Sequence, residues 1–579
     1  MNKFFFLITI SVFIVFPFFI EAQDILGQEV VFNIESSYDL AQRNQAAAVL
    51  VQVSPKLYWY ADENWWNALG AAEQNNIKES LSSLTLEFED TIYPVLTRTF
   101  GLEWSPGIDK DTRMTVLIHP MKKESGGYTD TGDEYPKIQI PDSNEREMIY
   151  LNSQYITEFS SAKSFLAHEL VHLITFNQKE RVYGAVEDVW LNEARAEYAP
   201  SLLGYDDTYG GSNLERRVKD FLNKPSDSLT EWRGKAEDYG TANLFGQYLV
   251  DHYGVSVLAE SLKIKEVGIK SLNKILAAKD FKKDFSEIFA DWTVAVLIND
   301  CQVANEYCYF NKNLKNLRIT PLVNYIPFVG DSVLSVTNTT KDWSGNWHKF
   351  VGGNGQLQLD FRAGSGANFK MVYLIENFQG DFTIDEMNLA GGQAAKVLVP
   401  DFSSENISLT IIPIAESKVS NFSDLEFSRL FSWTASTKTK NQEPAIPSLE
   451  PLEKPISQMT RAEILARIAE IRAVVLQLQS LLAQLPGASI SCSSVVGDLH
   501  WGMQDNSQVK CLQEFLKSQG SAIYPEGLVT GNFGVLTQQA VIRFQNKYAL
   551  EILTPLGLPA GTGYVGSSTR AKINQLLTK

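Results

Sequence analysis

The chain has 579 residues, of which 44% are hydrophobic and 21% are charged, and its formal net charge is −17. This length exceeds one typical domain several times over, and the composition is that of a globular protein rather than a disordered chain. The negative charge argues against a nucleic-acid partner, because binding to phosphates requires a positive field.

The N-terminus has the features of a secretory signal peptide. Lys3 is followed by the apolar run 4–20, and Glu21 and Ala22 come next. A basic residue, an apolar stretch and a small residue before a polar segment predict a signal peptide at 1–22 that is cleaved after Ala22. An uncleaved membrane anchor is the alternative, since the run approaches the length of a spanning helix. Both predict an exported protein, either secreted or attached to the cell surface.

Residues 23–327 are predicted to form an α+β domain, with strands first and helices after. Runs of β-branched and aromatic residues predict strands over 46–59, 113–121 and 147–152. Apolar residues at helical spacing predict helices over 65–100, 160–176, 187–203, 241–253, 255–277 and 282–298. The rest of the chain differs in composition and in the spacing of its apolar residues, so the chain is predicted to be multidomain.

From 328 to 436, short apolar runs alternate with Gly, Asn, Asp and Ser clusters, which predicts an antiparallel β-sandwich as an accessory domain. Residues 437–458 form a linker with four prolines, which is expected to be extended and semi-rigid. Residues 459–487 carry a heptad pattern typical of a coiled-coil helix. Its apolar positions are Ile464, Ile468, Ile471, Val475, Leu478, Leu482 and Leu485. This helix could self-associate weakly or pack on a neighbouring domain.

Four cysteines form two local pairs, Cys301 with Cys308 and Cys492 with Cys511. Exported chains meet oxidising conditions, so two short-loop disulfides are predicted. Four unpaired thiols are the alternative.

The clearest chemical motif is His168-Glu169-Leu170-Val171-His172, within the predicted helix 160–176. Residues i and i+4 share one face of a helix, so both imidazoles can bind the same metal ion. Zinc suits this pair because it binds imidazole tightly and acidifies a coordinated water, from which Glu169 can take a proton. A chance occurrence is the alternative, but it leaves polar groups on an apolar helix without partners.

A catalytic zinc ion needs a third protein ligand, and the predicted helix 187–203 offers two carboxylates. Glu193 could complete the site, and Glu197, one turn later, could accept a hydrogen bond from a ligand histidine and fix its tautomer. A solvent-exposed carboxylate is the alternative for each. The extended metzincin pattern is excluded, because Thr175 and Gln178 occupy the positions of its glycine and histidine.

HELVH followed by LNEARAE resembles the gluzincin metallopeptidases, which include the thermolysin-like enzymes and the aminopeptidase N family. The resemblance covers about residues 110–260. It implies a zincin-like fold, one zinc ion on His168, His172 and Glu193, Glu169 as the general base, and protein or peptide substrates. The thermolysin-like pattern has an Asp where this chain has Glu197, and an aminopeptidase-type motif for a substrate amine is lacking.

A hydrogen-bond donor to the oxyanion is expected on the helical segment after the second motif, where related enzymes place it. Tyr239 is the first candidate and His252 the second, and a structural role is the alternative for each. His119 ends a predicted strand that could line the cleft. His348 and His500 lie in the accessory domains and are not expected to bind metal.

Residues 488–579 resemble the peptidoglycan-binding domains of bacterial wall hydrolases. Two turns of the form Gly-x-apolar-Gly, at 531–534 and 563–566, each precede a predicted helix, and Thr537 and Thr569 follow them. Glycine supplies backbone angles that other residues avoid. The resemblance implies a small all-α domain that binds peptidoglycan. A helical domain that has lost its affinity for glycan is the alternative.

Together these features predict a secreted, cell-wall-associated zinc metalloendopeptidase. Two alternatives stay open: a wall-binding surface protein with an inactive peptidase-like domain, and an enzyme that cleaves the peptides of peptidoglycan itself. The intact HELVH motif together with Glu193 favours an active enzyme.

Overall fold

The computed structural model describes residues 23–438 except 329 and 390–392, residues 494–577 except 504, 505, 521 and 526, and a few positions between 459 and 474. The predicted signal peptide and nearly all of the linker and heptad helix lie outside the described residues. Two compact units are present, Met1–Lys219 with Ala242–Asp280, and Asp220–Thr241 with Phe281–Lys579. The domain boundaries inferred from composition stay predictions.

The first unit contains a six-stranded mixed sheet. Its strands are β1 (Glu29–Asn33), β2 (Gln45–Val53), β3 (Leu57–Asp62), β4 (Met114–His119), β5 (Gly127–Tyr128) and β6 (Met148–Asn152), in the order β1-β2-β3-β4-β6-β5. β3, β4 and β6 pair in parallel, and the other neighbours are antiparallel. Every residue of these three strands is buried, which explains their mostly apolar and aromatic composition.

The predicted strand 46–59 is wrong as a single strand, because β2 and β3 form an antiparallel hairpin. The chain turns after Ser54, whose hydroxyl oxygen accepts a hydrogen bond from the Leu57 N–H at 3.0 Å. Pro55 follows, and proline favours turns over strand interiors because it has no N–H. The predicted strands 113–121 and 147–152 are confirmed as β4 and β6.

Helices make up most of the remaining regular structure up to residue 278. They are α1 (Glu63–Ala68), α2 (Ala71–Glu87), α3 (Tyr93–Phe100), α4 (Phe159–Thr175), α5 (Val189–Leu202), α6 (Asn213–Asn223), α7 (Ala236–Tyr253), α8 (Val255–Ser261) and α9 (Gly268–Ala278). The predicted helices 160–176 and 187–203 are confirmed as α4 and α5. The predicted helix 65–100 is wrong as one helix, because Gly70 begins a new one and a π-helical turn, Phe88–Ile92, precedes α3. Helix α6 was not predicted.

The second unit contains α10 (Phe285–Ile298) and a nine-stranded sheet. The strands are β7 (Leu322–Ile326), β8 (Ser332–Thr340), β9 (His348–Gly352), β10 (Gly355–Ala363), β11 (Phe369–Asn377), β12 (Phe382–Glu386), β13 (Ala394–Phe402), β14 (Asn406–Ala415) and β15 (Arg429–Lys438). The predicted β-rich region is confirmed, and most neighbouring strands are antiparallel.

The nine strands form two layers that face each other across an apolar core. Three strands, β14, β13 and β10, separate β11 from β15 within the sheet, which corresponds to about 19 Å in a flat sheet. The rings of Phe369 on β11 and Phe431 on β15 nevertheless have centroids only 5.8 Å apart. β13 and β14 are joined by a single residue pair, Phe402 with Asn406, so the strands form two facing layers, β12-β11-β14-β9-β7 and β13-β10-β15-β8. This arrangement is the β-sandwich that the sequence predicts.

The C-terminal helices are α11 (Ser507–Ser518), α12 (Val535–Lys547), α13 (Ala549–Ile552) and α14 (Ser567–Leu577). They share one apolar core, with Val509, Leu512, Phe515, Phe544 and Ile573 among its members. The predicted small all-α domain is thus confirmed at the level of its helices.

Two glutamine side chains close the two glycine turns in the same way. Gln513 accepts a hydrogen bond from the Gly531 N–H and donates one to the Thr537 hydroxyl, both at 2.9 Å. Gln545 makes the matching contacts with the second turn and with Thr569. Gly531 has a φ of 81°, a conformation that glycine adopts without steric cost.

Cys301 and Cys308 form the predicted disulfide. Cys511 is also disulfide-bonded, and its predicted partner, Cys492, lies outside the described residues. Among the helices that the structure describes, none has the length and apolar character needed to span a membrane.

Candidate metal centre

Helices α4 and α5 bring three potential metal ligands together. His168 and His172 lie one turn apart on α4, and Glu193 faces them from α5. The Glu193 Oε2 atom is 3.2 Å from His168 Nε2 and 3.8 Å from His172 Nε2. One ligand atom from each residue lies within 4.8 Å of the others, and no other such group of three is present among the described residues.

The donor set fits a zinc ion. Two imidazole nitrogens and a carboxylate oxygen are ligands that zinc prefers in sites that keep an open position for water or substrate. The Glu193 Oε2 atom is buried and, despite its short distance to His168, is not aligned as a hydrogen-bond acceptor within the described structure. Atoms that approach one another without a hydrogen bond are expected where several ligands point toward a common ion.

Electrostatics favour the charged forms of two members of the triad, Glu193 and His168. Burial opposes ionisation of Glu193, but His172 and His168 outweigh this effect, so the pKa of the Glu193 carboxyl is lowered. Burial also opposes protonation of His168, and the carboxylates of Glu193, Glu169 and Glu197 outweigh it and raise the pKa of His168 to about 9. A local excess of negative charge of this kind attracts a cation.

Glu169 is positioned beside the triad by a contact from the neighbouring sheet. Its side chain is 5% exposed, and its Oε2 atom accepts a hydrogen bond of 2.9 Å from the Thr129 hydroxyl, directly after β5. Burial raises the pKa of Glu169, whereas His168, His172 and the Thr129 hydroxyl act in the opposite direction. Sequence reasoning missed Thr129, which precedes Glu169 by 40 residues.

Glu197 lies behind His168 and is held by a salt bridge that the sequence did not predict. The Glu197 Oε1 atom is 3.5 Å from His168 Nδ1. Arg217, on α6, donates to both carboxylate oxygens, at 2.6 and 2.9 Å. Asn213 donates to the same carboxylate at 2.9 Å. Burial opposes ionisation of Glu197, but Arg217 and His168 lower its pKa to about 2. The carboxylate is thus charged and oriented toward the outer nitrogen of His168.

Tyr38 is another residue near the triad that could not be identified from the sequence. Burial and the nearby carboxylates of Glu169 and Glu193 raise the pKa of Tyr38. Its ring stacks on that of Tyr128, with centroids 4.7 Å apart and planes 11° from parallel. The Lys122 N–H donates to its backbone carbonyl at 2.9 Å. Tyr38 is therefore held firmly by both its ring and its backbone.

The other candidates from the sequence lie in several environments. Tyr239 is on α7, with its ring edge-on to Trp232 at 4.9 Å, and its role at the oxyanion stays a prediction. The ring of His252 lies 4.4 Å from that of Tyr248. His119 is fully buried, with Nδ1 3.2 Å from Asp39 Oδ2. It therefore does not line an open cleft, and that expectation is wrong.

The two remaining histidines, His348 and His500, belong to the second unit. His348 is on β9, and burial lowers its pKa to about 4. His500 precedes α11, and its ring is stacked 6.4 Å from that of Tyr564.

Comparison with known proteins identifies one region. Residues 505–573 match the family model described as "Putative peptidoglycan binding domain". No curated protein matches the chain. A similar solved structure is a family GH115 4-O-methyl-α-glucuronidase with specificity for decorated arabinogalactans, at 10% identity and a TM-score of 0.12. The alignment covers 58% of this chain and 53%, or about half, of that one. A likeness this weak carries no argument about fold or activity.

The family match confirms the prediction for the C-terminal region. It is a peptidoglycan-binding domain, which supports association with the cell wall and peptidoglycan as a partner. The match does not extend to α4 and α5, so the peptidase activity, the zinc ion and the zincin-like fold stay predictions.

Proposed function

We propose that the chain is a cell-wall-associated zinc metallopeptidase, similar in its site to the gluzincins, with Glu169 as the general base. The observation that carries this proposal is the convergence of His168, His172 and Glu193 from two helices, with Glu169 beside them. The chain between His172 and Glu193 is long enough to form a connecting segment and the start of a second helix.

The three ligands would hold zinc through His168 Nε2, His172 Nε2 and a Glu193 oxygen. A zinc ion bound by such ligands lowers the pKa of a coordinated water and polarises the carbonyl group of a substrate. The Glu197 carboxylate, fixed by Arg217, would hold the His168 ring with its Nδ1 proton directed away from the ion. Such outer contacts orient a ligand histidine and increase its basicity.

Glu169 would carry the proton during peptide hydrolysis. The Thr129 hydroxyl engages its Oε2 atom, which leaves Oε1 to accept a proton from the attacking water. The same carboxyl group would then protonate the leaving amide nitrogen, so that one residue serves first as base and then as acid.

The short strand β5 supports an extended peptide as the substrate. It lies at the edge of the sheet and pairs only with β6 among the described strands. A Cβ atom built on Gly127 would lie 3.4 Å from Glu169 Cγ, so this edge passes next to the proposed base. A peptide can pair with such an edge through main-chain hydrogen bonds.

Tyr38 is a candidate donor to the oxyanion of the tetrahedral intermediate. Burial and the carboxylates of Glu169 and Glu193 raise the pKa of Tyr38, so its hydroxyl keeps its proton, and stacking on Tyr128 restrains the ring. A preorganised donor of this kind can lower the barrier by about 3 kcal/mol. Tyr239 stays the candidate from sequence reasoning.

The C-terminal domain would hold the enzyme at peptidoglycan. This observation also favours a second candidate function, in which the peptide crosslinks of peptidoglycan are the substrate. Both candidate functions use the same catalytic residues and differ only in the substrate.

The test compares the full-length wild type with Glu169→Gln, and uses Glu158→Gln, an exposed glutamate at the start of the same helix, as the control. Zinc content, hydrolysis of casein and release of new amines from purified peptidoglycan are measured. We expect one zinc ion per chain in all three proteins and a loss of about 10³-fold or more in activity for Glu169→Gln only. Activity that is equal in all three and insensitive to chelators would refute the mechanism, and zinc binding without hydrolysis of either substrate would favour an inactive wall-binding protein.

A further inference from the structure

The C-terminal domain presents three exposed rings on a short segment and a neighbouring turn. His500 and Trp501 belong to the segment that precedes α11, and Tyr564 belongs to the second glycine turn, 563–566. Trp501 is 60% exposed and Tyr564 is 44% exposed, and His500 is exposed as well. None of the three belongs to the described apolar core of the domain. We refer to His500, Trp501 and Tyr564 as the aromatic platform.

The backbone of the segment is fixed by both glycine turns. It pairs with the second turn through Leu499, whose backbone exchanges two hydrogen bonds with that of Val565, at 2.9 and 3.3 Å. It pairs with the first turn through Gly502, whose N–H donates to the Phe533 carbonyl at 2.9 Å. The two exposed rings of the segment therefore lie between two anchored points, and their backbone loses little freedom when a ligand binds.

The side chains of the platform are also restrained. The rings of His500 and Tyr564 are stacked, with planes 8° from parallel and centroids 6.4 Å apart. The Tyr564 hydroxyl donates a hydrogen bond of 2.6 Å to the Asp498 carboxylate. Asp498 in turn forms an ion pair with Arg570 through its other oxygen. The orientation of the Tyr564 ring is thus set before a ligand arrives.

Exposed aromatic rings are the exception in this domain. Among its described residues, Trp501 and Tyr564 are the large aromatic side chains that are exposed, whereas Phe515, Phe533 and Phe544 are buried. Large apolar side chains that are exposed and lie close together mark interaction sites. Tryptophan and tyrosine are suited to such sites, because each has an apolar body and a polar group.

The platform is present in only one half of the domain. The two glycine turns make the same glutamine contacts, so Asn532 of the first turn corresponds to Tyr564 of the second. Asn532 is exposed, and the residues that follow in the two turns, Phe533 and Val565, are both buried. The turn therefore forms without a ring at this position, which favours a role for Tyr564 in binding.

We propose that the aromatic platform binds the glycan strand of peptidoglycan, with sugar rings packed against Trp501 and Tyr564. A sugar ring has an apolar C–H face that an aromatic ring can cover, and its polar groups at the edge can bond to neighbouring polar side chains. The family match covers residues 505–573 and assigns no site. His500 and Trp501 precede it.

The charges at the platform favour the glycan over the stem peptides of peptidoglycan. Stem peptides carry carboxylate and amine groups, and their recognition requires fixed opposite charges. The two charged side chains next to Tyr564, Asp498 and Arg570, are already paired with each other. The platform thus offers apolar rings beside a neutralised pair, which suits an uncharged sugar face.

The experiment separates the two parts of peptidoglycan. Glycan strands are freed of stem peptides with an amidase and immobilised, and the dissociation constant of the full-length protein is measured on them. Free glycan strands and free stem peptides serve as competitors. These strands contain no stem peptides to cleave, so the outcome does not depend on the proposed peptidase activity. We expect glycan to compete and stem peptides not to compete.

Tyr564→Asn tests the assignment, because it places in the second turn the residue that the first turn has. It should weaken binding to glycan at least about 10-fold, and so should Trp501→Ala, since a few aromatic residues provide most of the affinity of an interface. Asn532→Ala, at the equivalent position of the first turn, is the matched control and should bind as the wild type does. All three variants change exposed side chains, so the unfolding midpoint should stay that of the wild type.

Three results would overturn the proposal. The first is a wild type that is not retained on peptide-free glycan. The second is displacement by stem peptides and not by glycan, which would assign recognition to the peptides. The third is glycan binding by Tyr564→Asn and Trp501→Ala that equals that of Asn532→Ala, which would place the glycan elsewhere on the domain.

Discussion

The salt bridge between Glu197 and Arg217 allows a quantitative test of how these two residues support the ligand His168. The two side chains are 1% and 8% exposed and are joined by two hydrogen bonds. Arg217→Met keeps the length of the side chain but leaves a buried carboxylate without its main counter-charge. Removing one member of a buried pair costs about 3–5 kcal/mol, and losing an outer contact to a ligand histidine weakens metal binding about 10–100-fold.

The same helix contains a matched control. Lys219 pairs with Glu215 on the surface, with side chains 67% and 27% exposed. Lys219→Met should therefore lower the free energy of unfolding by no more than about 0.5 kcal/mol and leave zinc affinity unchanged.

The two variants are compared by urea unfolding of the zinc-free proteins and by competition for zinc with a fluorescent chelator. The double variant Glu197→Gln/Arg217→Met should recover much of the lost stability, because both charges of the pair are then removed. The reasoning would be refuted if the free energy of unfolding of Arg217→Met lay within about 0.5 kcal/mol of that of Lys219→Met and the two variants bound zinc equally well.

Three further predictions concern separate parts of the chain. Tyr38→Phe keeps the ring that stacks on its neighbour and should lower kcat about 100–1,000-fold, with little change in KM in steady-state assays. An unchanged kcat would exclude Tyr38 from catalysis. Trp501→Ala should weaken binding in a peptidoglycan pull-down, because this aromatic ring is 60% exposed. The control Leu550→Ala changes a residue of the same domain that is 84% exposed and should leave binding unchanged. Equal losses of binding in the two variants would contradict this prediction. The unfolding midpoint of the zinc-free protein should fall as pH rises from 5 to 8. The folded-state pKa of Glu147, raised by burial to about 8 from an ordinary 4.5, means that its stabilising proton is lost across this range. Glu147→Gln should flatten this dependence, and an equally steep fall in that variant would contradict the raised pKa of Glu147.

The ligand set of the candidate metal centre could be predicted because it depends on local helical geometry. His168 and His172 are separated by one turn of α4, and Glu193 follows on the next helix. Arg217, Thr129 and Tyr38 could not be assigned in this way, because their contacts depend on how distant segments pack. The sequence of α6 contains one indication of a helix, because its apolar residues recur at helical spacing. These residues are Leu214, Val218 and Phe221, and all three are buried.

The limits of sequence reasoning are similar in the β-rich region. Alternating apolar residues show which face of each strand is buried, as in β15, where alternate residues are buried. They do not show which strands face each other across the core. The contacts of Phe369 with Phe361 and Phe431 show that β11 faces β10 and β15 across the core.

The glutamine contacts in the C-terminal domain have a consequence for how its sequence can vary. In both halves the bond from glutamine to glycine spans 18 residues, and the bond from glutamine to threonine spans 24. These equal intervals are what an ancestral tandem duplication would leave behind. Because each amide group must reach a turn at a fixed interval, insertions and deletions should be excluded from these intervals and accumulate in the chain between the two copies.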